Sequence, residues 1–267
     1  MTITVVSENA IATITIDRQD KLNALDVDHL VDLRLQLSAA SSDPSVRVIV
    51  ITGAGQKAFC VGADLTSKRT GEVSPAEAFA LSLDDSGERG LYIRLFDLSG
   101  LNIRKPLIAA VNGFCLGGGL ELALQCDLIL ASETASFGLP EVIVSSLPGG
   151  GGVPNLLRAI PRPVAMRMLL TGERIDASRA LEIGLVSDIT SAAELAALTG
   201  RIANRIGENG PVAVQLVKML AVQCENLSAS QAFQLTELAW SLLRDTEDRK
   251  EGKAAFAEKR KPQYAGR

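Results

Sequence analysis

Apolar residues alternate with Thr and Ser across residues 2–17, the period-two pattern of a strand pair, with the turn expected at Ser7, Glu8 and Asn9. Residues 46–51 (VRVIVI) are a short apolar run ending in Thr-Gly-Ala-Gly, which suits a strand covered on both faces. Between them the spacing predicts a helix. Its apolar stripe is Val27, Leu30, Leu33 and Leu37, Asp26 is placed to cap it, and Asp28 lies in its first turn. His29, Asp32 and Gln36 then fall on the opposite, wetted face.

A second apolar strand over Leu107–Val111 leads through Asn112 and Gly113 to a glycine-rich turn and a helix starting near Gly118. Residues 128–131 again read as strand, so strand, strand and helix alternate. Past Pro148 the spacing turns helical, over residues 156–170 and again from Ile202 through Trp240. This gives an α/β reading with a mostly helical C-terminal third. The connection over residues 66–105 is rich in Ser, Gly, Asp and Arg around a helix-like stretch at 75–83. It reads equally as a mobile loop over a site or as a plain surface excursion.

Composition narrows the function classes. The chain has 267 residues, 47% apolar and 22% charged, with a net charge of -4 and no dense run of Lys or Arg. A phosphate-tracking, nucleic-acid surface is therefore not expected. The N-terminus lacks the basic start and apolar core of a signal peptide. The most membrane-like stretch, 106–126, holds Asn112, several glycines and Glu121, and reads as buried core rather than a span. Cys60, Cys115, Cys126 and Cys224 form no Cys-x-x-Cys pair, and His29 is the only histidine. That fits a reducing cytoplasm and no His/Cys metal site. A Ser/His/Asp hydrolase is disfavoured by the position of His29 and by the lack of a Gly-x-Ser-x-Gly elbow. The glycines do not form a Gly-x-Gly-x-x-Gly fingerprint with an acidic residue downstream, so a dinucleotide site is not expected.

Three segments carry chemistry. In AFCVGADL (58–65), Gly62 permits close backbone approach and leaves the Ala63 amide free to face a cavity. In CLGGGLELALQCD (115–127), glycines open a helix whose first amides have no intrahelical acceptor, a site for developing negative charge. Glu121 lies in that first turn, either as an acid/base beside the anion cradle or as a capping glutamate. In FGLPEVIVSSLPGGGG (137–152), Glu141 stands behind Pro140 and ahead of an apolar run, an odd place for a charge without a task.

Together these segments resemble the enoyl-CoA hydratase/isomerase (crotonase) family. The likeness also takes in ITIDRQDKLNALD near the start, LLTGERIDASRALEIGLVSDI, and the tail EDRKEGKAAFAEKRKP. The resemblance implies a crotonase-like spiral of ββα units over residues 1–200 and a helical region over 201–267 that builds trimers or dimers of trimers. It implies an oxyanion hole at the amides of Ala63 and Gly118, and two acid/base carboxylates, Glu121 and Glu141. It further implies a CoA path along Ala63, Asp64, Leu65, Thr66 and Gly118, with Phe256 and Lys259 of a neighbouring subunit near the nucleotide. The activity it implies is reversible hydration of a trans-2-enoyl-CoA to a 3-hydroxyacyl-CoA. The substrate carries the CoA, and no cofactor, metal, nucleic acid or membrane is expected. The alternative is an enoyl-CoA isomerase working on Glu141 alone, or another acyl-CoA enzyme of the family; a non-catalytic relative fits less well with both glutamates present. The chain departs from many relatives at Val153, Pro154 and Asn155, where they carry Thr-Gln-Arg, and in its longer 66–105 connection, so acyl length and branching stay open.

Overall fold

The computed structural model describes residues 2–67, 74, 76, 77 and 92–267. The opening hairpin pairs β1 (Ile3–Glu8) antiparallel with β2 (Ile11–Ile16), in register from Ile3 opposite Ile16 to Glu8 opposite Ile11. The turn falls later than the sequence suggests. Asn9 and Ala10 both take left-handed φ, +52° and +63°, and form the tight two-residue loop whose twist matches the flanking strands.

Helix α1 (Val27–Ser42) follows, capped as expected by Asp26, whose side chain accepts from the His29 amide. Leu30, Leu33 and Leu37 bury almost completely, while Val27 is half-buried. The face expected to be wet is also only half exposed. The His29 ring is hydrogen-bonded to the Asp26 carboxylate, and Gln36 donates to Asp32 at 3.0 Å, so local pairing shields these polar side chains.

Strands then alternate between two sheets. One has six strands in the order β1-β2-β3-β5-β7-β10, parallel from β2 onward, with β3 (Val48–Gly53), β5 (Leu107–Val111), β7 (Leu128–Ser132) and β10 (Asp188–Thr190). The other has the order β4-β6-β8-β9, with β4 (Ala58–Cys60), β6 (Phe114–Leu116), β8 (Ser136–Gly138) and β9 (Ile175–Asp176). Each pair β3/β4, β5/β6 and β7/β8 contributes one strand to each sheet, so the chain advances as a spiral. β9 and β10 lie in the stretch read as helical; at two and three residues they are too short to show a periodicity.

Strand β3 shows why its sequence is apolar throughout. Ile49 and Ile51 join the main core with α1, while Val48 and Val50 face a second cluster with Ile108, Ala110, Leu130, Leu195 and Ala203. Helix α2 (Gly118–Ala123) is wholly buried, in keeping with the reading of 106–126 as core. Then come α3 (Gly152–Ala159), α4 (Arg162–Thr171) and α5 (Ala177–Glu182). Leu195 and Ala203 stand on α6 (Leu195–Gly207), which runs through residue 200 while packing on the six-stranded sheet. Beyond it, α7 (Pro211–Cys224) and α8 (Ala229–Arg244) pair with each other and bury little apolar surface of their own, and α9 (Glu247–Glu258) closes the fold.

Within the 66–105 connection, the helix-like stretch 75–83 lies, except for Ala76 and Glu77, outside the described residues. Its end forms two short 3-10 turns, Tyr92–Phe96 and Ser99–Leu101. Among the described residues no helix is long and apolar enough to cross a membrane.

Candidate active site

The amide of Ala63 is set by a single parallel bridge to Leu25. Leu25 N–H donates to Gly62 O at 2.8 Å, and Asp64 N–H donates to Leu25 O at 2.9 Å. These two bonds straddle Ala63, so its own N–H faces away from Leu25. Gly62 has φ +93°, and a Cβ there would stand 2.6 Å from the Gly118 nitrogen, so the two segments touch where only glycine fits. Gly118 opens α2 behind Gly117, itself at φ +53°, and the amide of a first helical residue has no intrahelical acceptor.

Glu121 points back into the same region from α2 and is 3% exposed. Its Oε1 accepts the Gly152 amide at 2.9 Å, and the Gly150 amide also reaches it. Burial is the largest influence and raises its pKa to about 7; the Gly152 and Gly150 amides oppose the rise and the Glu141 charge adds to it. The glycines leave no spare room. A Cβ on Gly150 would come 2.9 Å from Glu121 Oε2, and one on Gly152 would come 2.9 Å from Oε1.

Glu141 stands on the 3-10 turn Pro140–Val144 just after β8, with Pro140 at its first position. Burial raises its pKa as well, and its Oε2 is buried with no partner among the described residues. An unpaired buried carboxylate oxygen is costly, and groups of this kind cluster at functional sites. A Cβ on Gly117 would lie 3.1 Å from Glu141 Oε1, so Glu141 stands at the mouth of α2. The apolar run after it, Val142, Ile143, Val144 and Leu147, is exposed rather than core.

Sequence reasoning missed three parts of this region. The Phe96 ring covers α2: a Cβ on Gly118 would meet its Cε1 at 2.5 Å. Ile93 lies against Gly149, where a Cβ would meet Cδ1 at 2.1 Å. Both sit in a connection without usable periodicity. The third is the pair of amides that hold Glu121, for which the glycine run 149–152 was the available signal.

Among the residues expected on the CoA path, Asp64 turns its carboxylate inward. It is fixed by Thr66 first, through the hydroxyl at 2.6 Å and the amide at 2.9 Å, and then by Arg18, which brings its pKa down to about 2. Leu65 is 75% exposed, and Thr66 Oγ accepts from Lys21 at 2.7 Å. Phe256 and Lys259 stand exposed at the end of α9, a helix tied through Asp248 to the chain's own tail at Ala265 and Gly266. A cleft of about 1470 Å³ runs from glycines 149–151 and Asn155 to α7 and α8. Its walls include neither carboxylate, nor Ala63 or Gly118.

The family model described as "Enoyl-CoA hydratase/isomerase" matches residues 6–267. The (E)-benzylidenesuccinyl-CoA hydratase of Thauera aromatica is 42% identical over 266 residues, covering 100% of both chains. The short-chain-enoyl-CoA hydratase of Clostridium acetobutylicum is 37% identical over 257 residues, covering 95% of this chain and 94% of that protein. The crystal structure of an enoyl-CoA hydratase from Bacillus anthracis superposes with a TM-score of 0.90 at 33% identity over the whole of both chains. The chain belongs to the enoyl-CoA hydratase/isomerase family and has its crotonase fold.

Proposed function

We propose that the protein is an enoyl-CoA hydratase that adds water reversibly across the double bond of a trans-2-enoyl-CoA. The observation that carries this reading is the pair of buried carboxylates, Glu121 and Glu141, both with raised pKa and coupled in charge, beside the free-facing amides of Ala63 and Gly118. Addition of water to a conjugated thioester puts negative charge on the carbonyl oxygen. Two fixed amides stabilise that enolate in a site sheltered from water. Glu121 takes the proton of the attacking water, and Glu141, protonated, delivers one to the α carbon; their closeness favours sharing a single proton. These steps run on the chain's own groups, with the CoA as part of the substrate.

The backbone of Ala63, Asp64, Leu65 and Thr66 lines the CoA path in this reading, with Phe256 and Lys259 of a neighbouring copy near the nucleotide. The assembly is a homotrimer or a dimer of trimers. The apolar side chains left exposed on α7 and α8, Val217, Val222, Phe233, Leu238, Trp240 and Leu242, support such an assembly. Free cysteines fit a reducing cytoplasm.

Turnover of crotonyl-CoA, followed as loss of enone absorbance, tests the activity. Comparing kcat/KM with longer straight-chain enoyl-CoAs, 2,3-dehydroadipyl-CoA and (E)-benzylidenesuccinyl-CoA then assigns the acyl group, the latter two because relatives at 36% and 42% identity bear those names. A protein that only moves the double bond of a 3-enoyl-CoA, without hydrating any 2-enoyl-CoA, is an isomerase and contradicts the proposal.

A further inference from the structure

We propose that Arg18 is a positioning residue for the Ala63 amide, acting through Asp64. The inference rests on the proposed role of that amide in holding the thioester oxygen.

Arg18 follows β2, and its side chain is 14% exposed. Its Nη1 donates to Ala24 O at 2.7 Å and its Nη2 to Asp64 Oδ2 at 3.1 Å, while Asp26 Oδ2 lies 3.5 Å from Nη1. One guanidinium therefore holds the segment before Leu25 and the residue after Ala63. Its backbone is fixed too. Arg18 N–H donates to Asn23 Oδ1 and Asn23 N–H to Arg18 O, both at 2.9 Å. Asn23, 1% exposed, donates on to Ala58 O at 2.7 Å and Ala54 O at 3.1 Å, which ties the same loop to β4.

The Ala63 bridge stands inside this frame, because its flanking bonds join Leu25 to Gly62 and to Asp64. Without Arg18, Asp64 keeps its local bonds to Thr66, and the loop that sets Leu25 reaches its side chain only through the longer Lys21 contact at 3.9 Å, with no hydrogen bond. A buried ion pair is weak evidence for stability in itself, but the planar guanidinium reaches two fixed acceptors at once, which a lysine cannot reproduce. An oxyanion donor displaced by about 1 Å loses on the order of 100-fold in rate.

The test uses the full chain with Arg18→Met, Arg18→Lys and Asp64→Asn. Two readouts are taken: steady-state hydration of crotonyl-CoA, and the absorption of bound 4-(dimethylamino)cinnamoyl-CoA, a push-pull thioester whose band moves to longer wavelength when its carbonyl is polarised by hydrogen bonds. Arg18→Met is expected to lower kcat by about 10- to 100-fold, with KM changed by less than about threefold, and to shrink the red shift of the bound probe. Arg18→Lys should recover part of both. Asp64→Asn, which keeps the Thr66 bonds but not the ionic partner, should lose the red shift as Arg18→Met does, and decides the matter should Arg18→Met not fold. A folded Arg18→Met with the parent red shift overturns the inference whatever its kcat. A parent that red-shifts the probe but hydrates no enoyl-CoA overturns the hydratase reading alone, and the probe then decides for Arg18. A parent that does neither overturns both.

Discussion

The Glu121 carboxylate accepts the amide of Gly152 at 2.9 Å, from a residue 31 positions further along the chain. That bond joins the first turn of α2 to the first residue of α3, and holds Glu121 with no space for even a methyl group beside it. Gly152→Ala would put a Cβ 2.7 Å from Pro148 Cβ as well as 2.9 Å from Glu121 Oε1. It is expected to cut kcat by about 100-fold by moving the carboxylate. Gly200→Ala is the control: the position is inside α6 with nothing within 4 Å of the added carbon. That change should leave activity intact and stabilise the fold by about 0.5–1 kcal/mol, measured by urea unfolding.

Glu121 also makes stability depend on pH in a definite direction. Its carboxyl binds its proton more tightly folded, near pH 7, than at the ordinary value of 4.5. The parent is therefore most stable with respect to this group below pH 4.5, and loses stability as pH rises towards 7, after which the loss is constant. The rise from 4.5 to 7 corresponds to roughly 3 kcal/mol at 1.36 kcal/mol per pH unit. Glu121→Gln should thus gain on the parent between pH 4.5 and 7 and hold that gain to pH 8, in denaturant titrations at each pH. A flat difference across this range would mean that the carboxylate is not desolvated.

Much of this was readable in the sequence, for physical reasons that differ by element. The α1 stripe was legible because Leu30, Leu33 and Leu37 share a face, and β3 because both of its faces meet apolar cores. Glu121 and Glu141 stood out because each charge sits in glycine-rich or apolar surroundings, and the structure brings both to the mouth of α2. Strands β6, β8, β9 and β10 have three residues or fewer, below the length at which alternation can be read. Phe96, Ile93 and Arg18 escaped notice because their partners, Gly118, Gly149 and Asp64, are distant in sequence, and no local pattern records such a contact.

The exposed apolar side chains of α7 and α8 predict association. Light scattering should give the mass of three or six copies, and replacing Leu238 and Trp240, at 61% and 52% exposure, by Asp should lower it. A stable monomer for the parent in dilute buffer would contradict the assembly.

Lys259, exposed at the end of α9, is expected to meet CoA phosphate across the subunit boundary. Lys259→Ala should raise KM more than it lowers kcat, and salt should raise the parent KM by screening the same contact. A KM insensitive to both changes would remove Lys259 from the CoA site.

Hydration of crotonyl-CoA by the parent, Glu121→Gln, Glu141→Gln and the double variant tests the central claim most directly. Gln keeps the shape of each side chain and removes one proton-transfer group, so each single variant is expected to lose roughly 10²- to 10⁴-fold in kcat. The double variant should lose little more than the worse single, because groups that act as a unit are not additive. Near-parent hydration by Glu121→Gln with a dead Glu141→Gln would contradict the two-carboxylate mechanism and favour double-bond isomerisation on Glu141 alone.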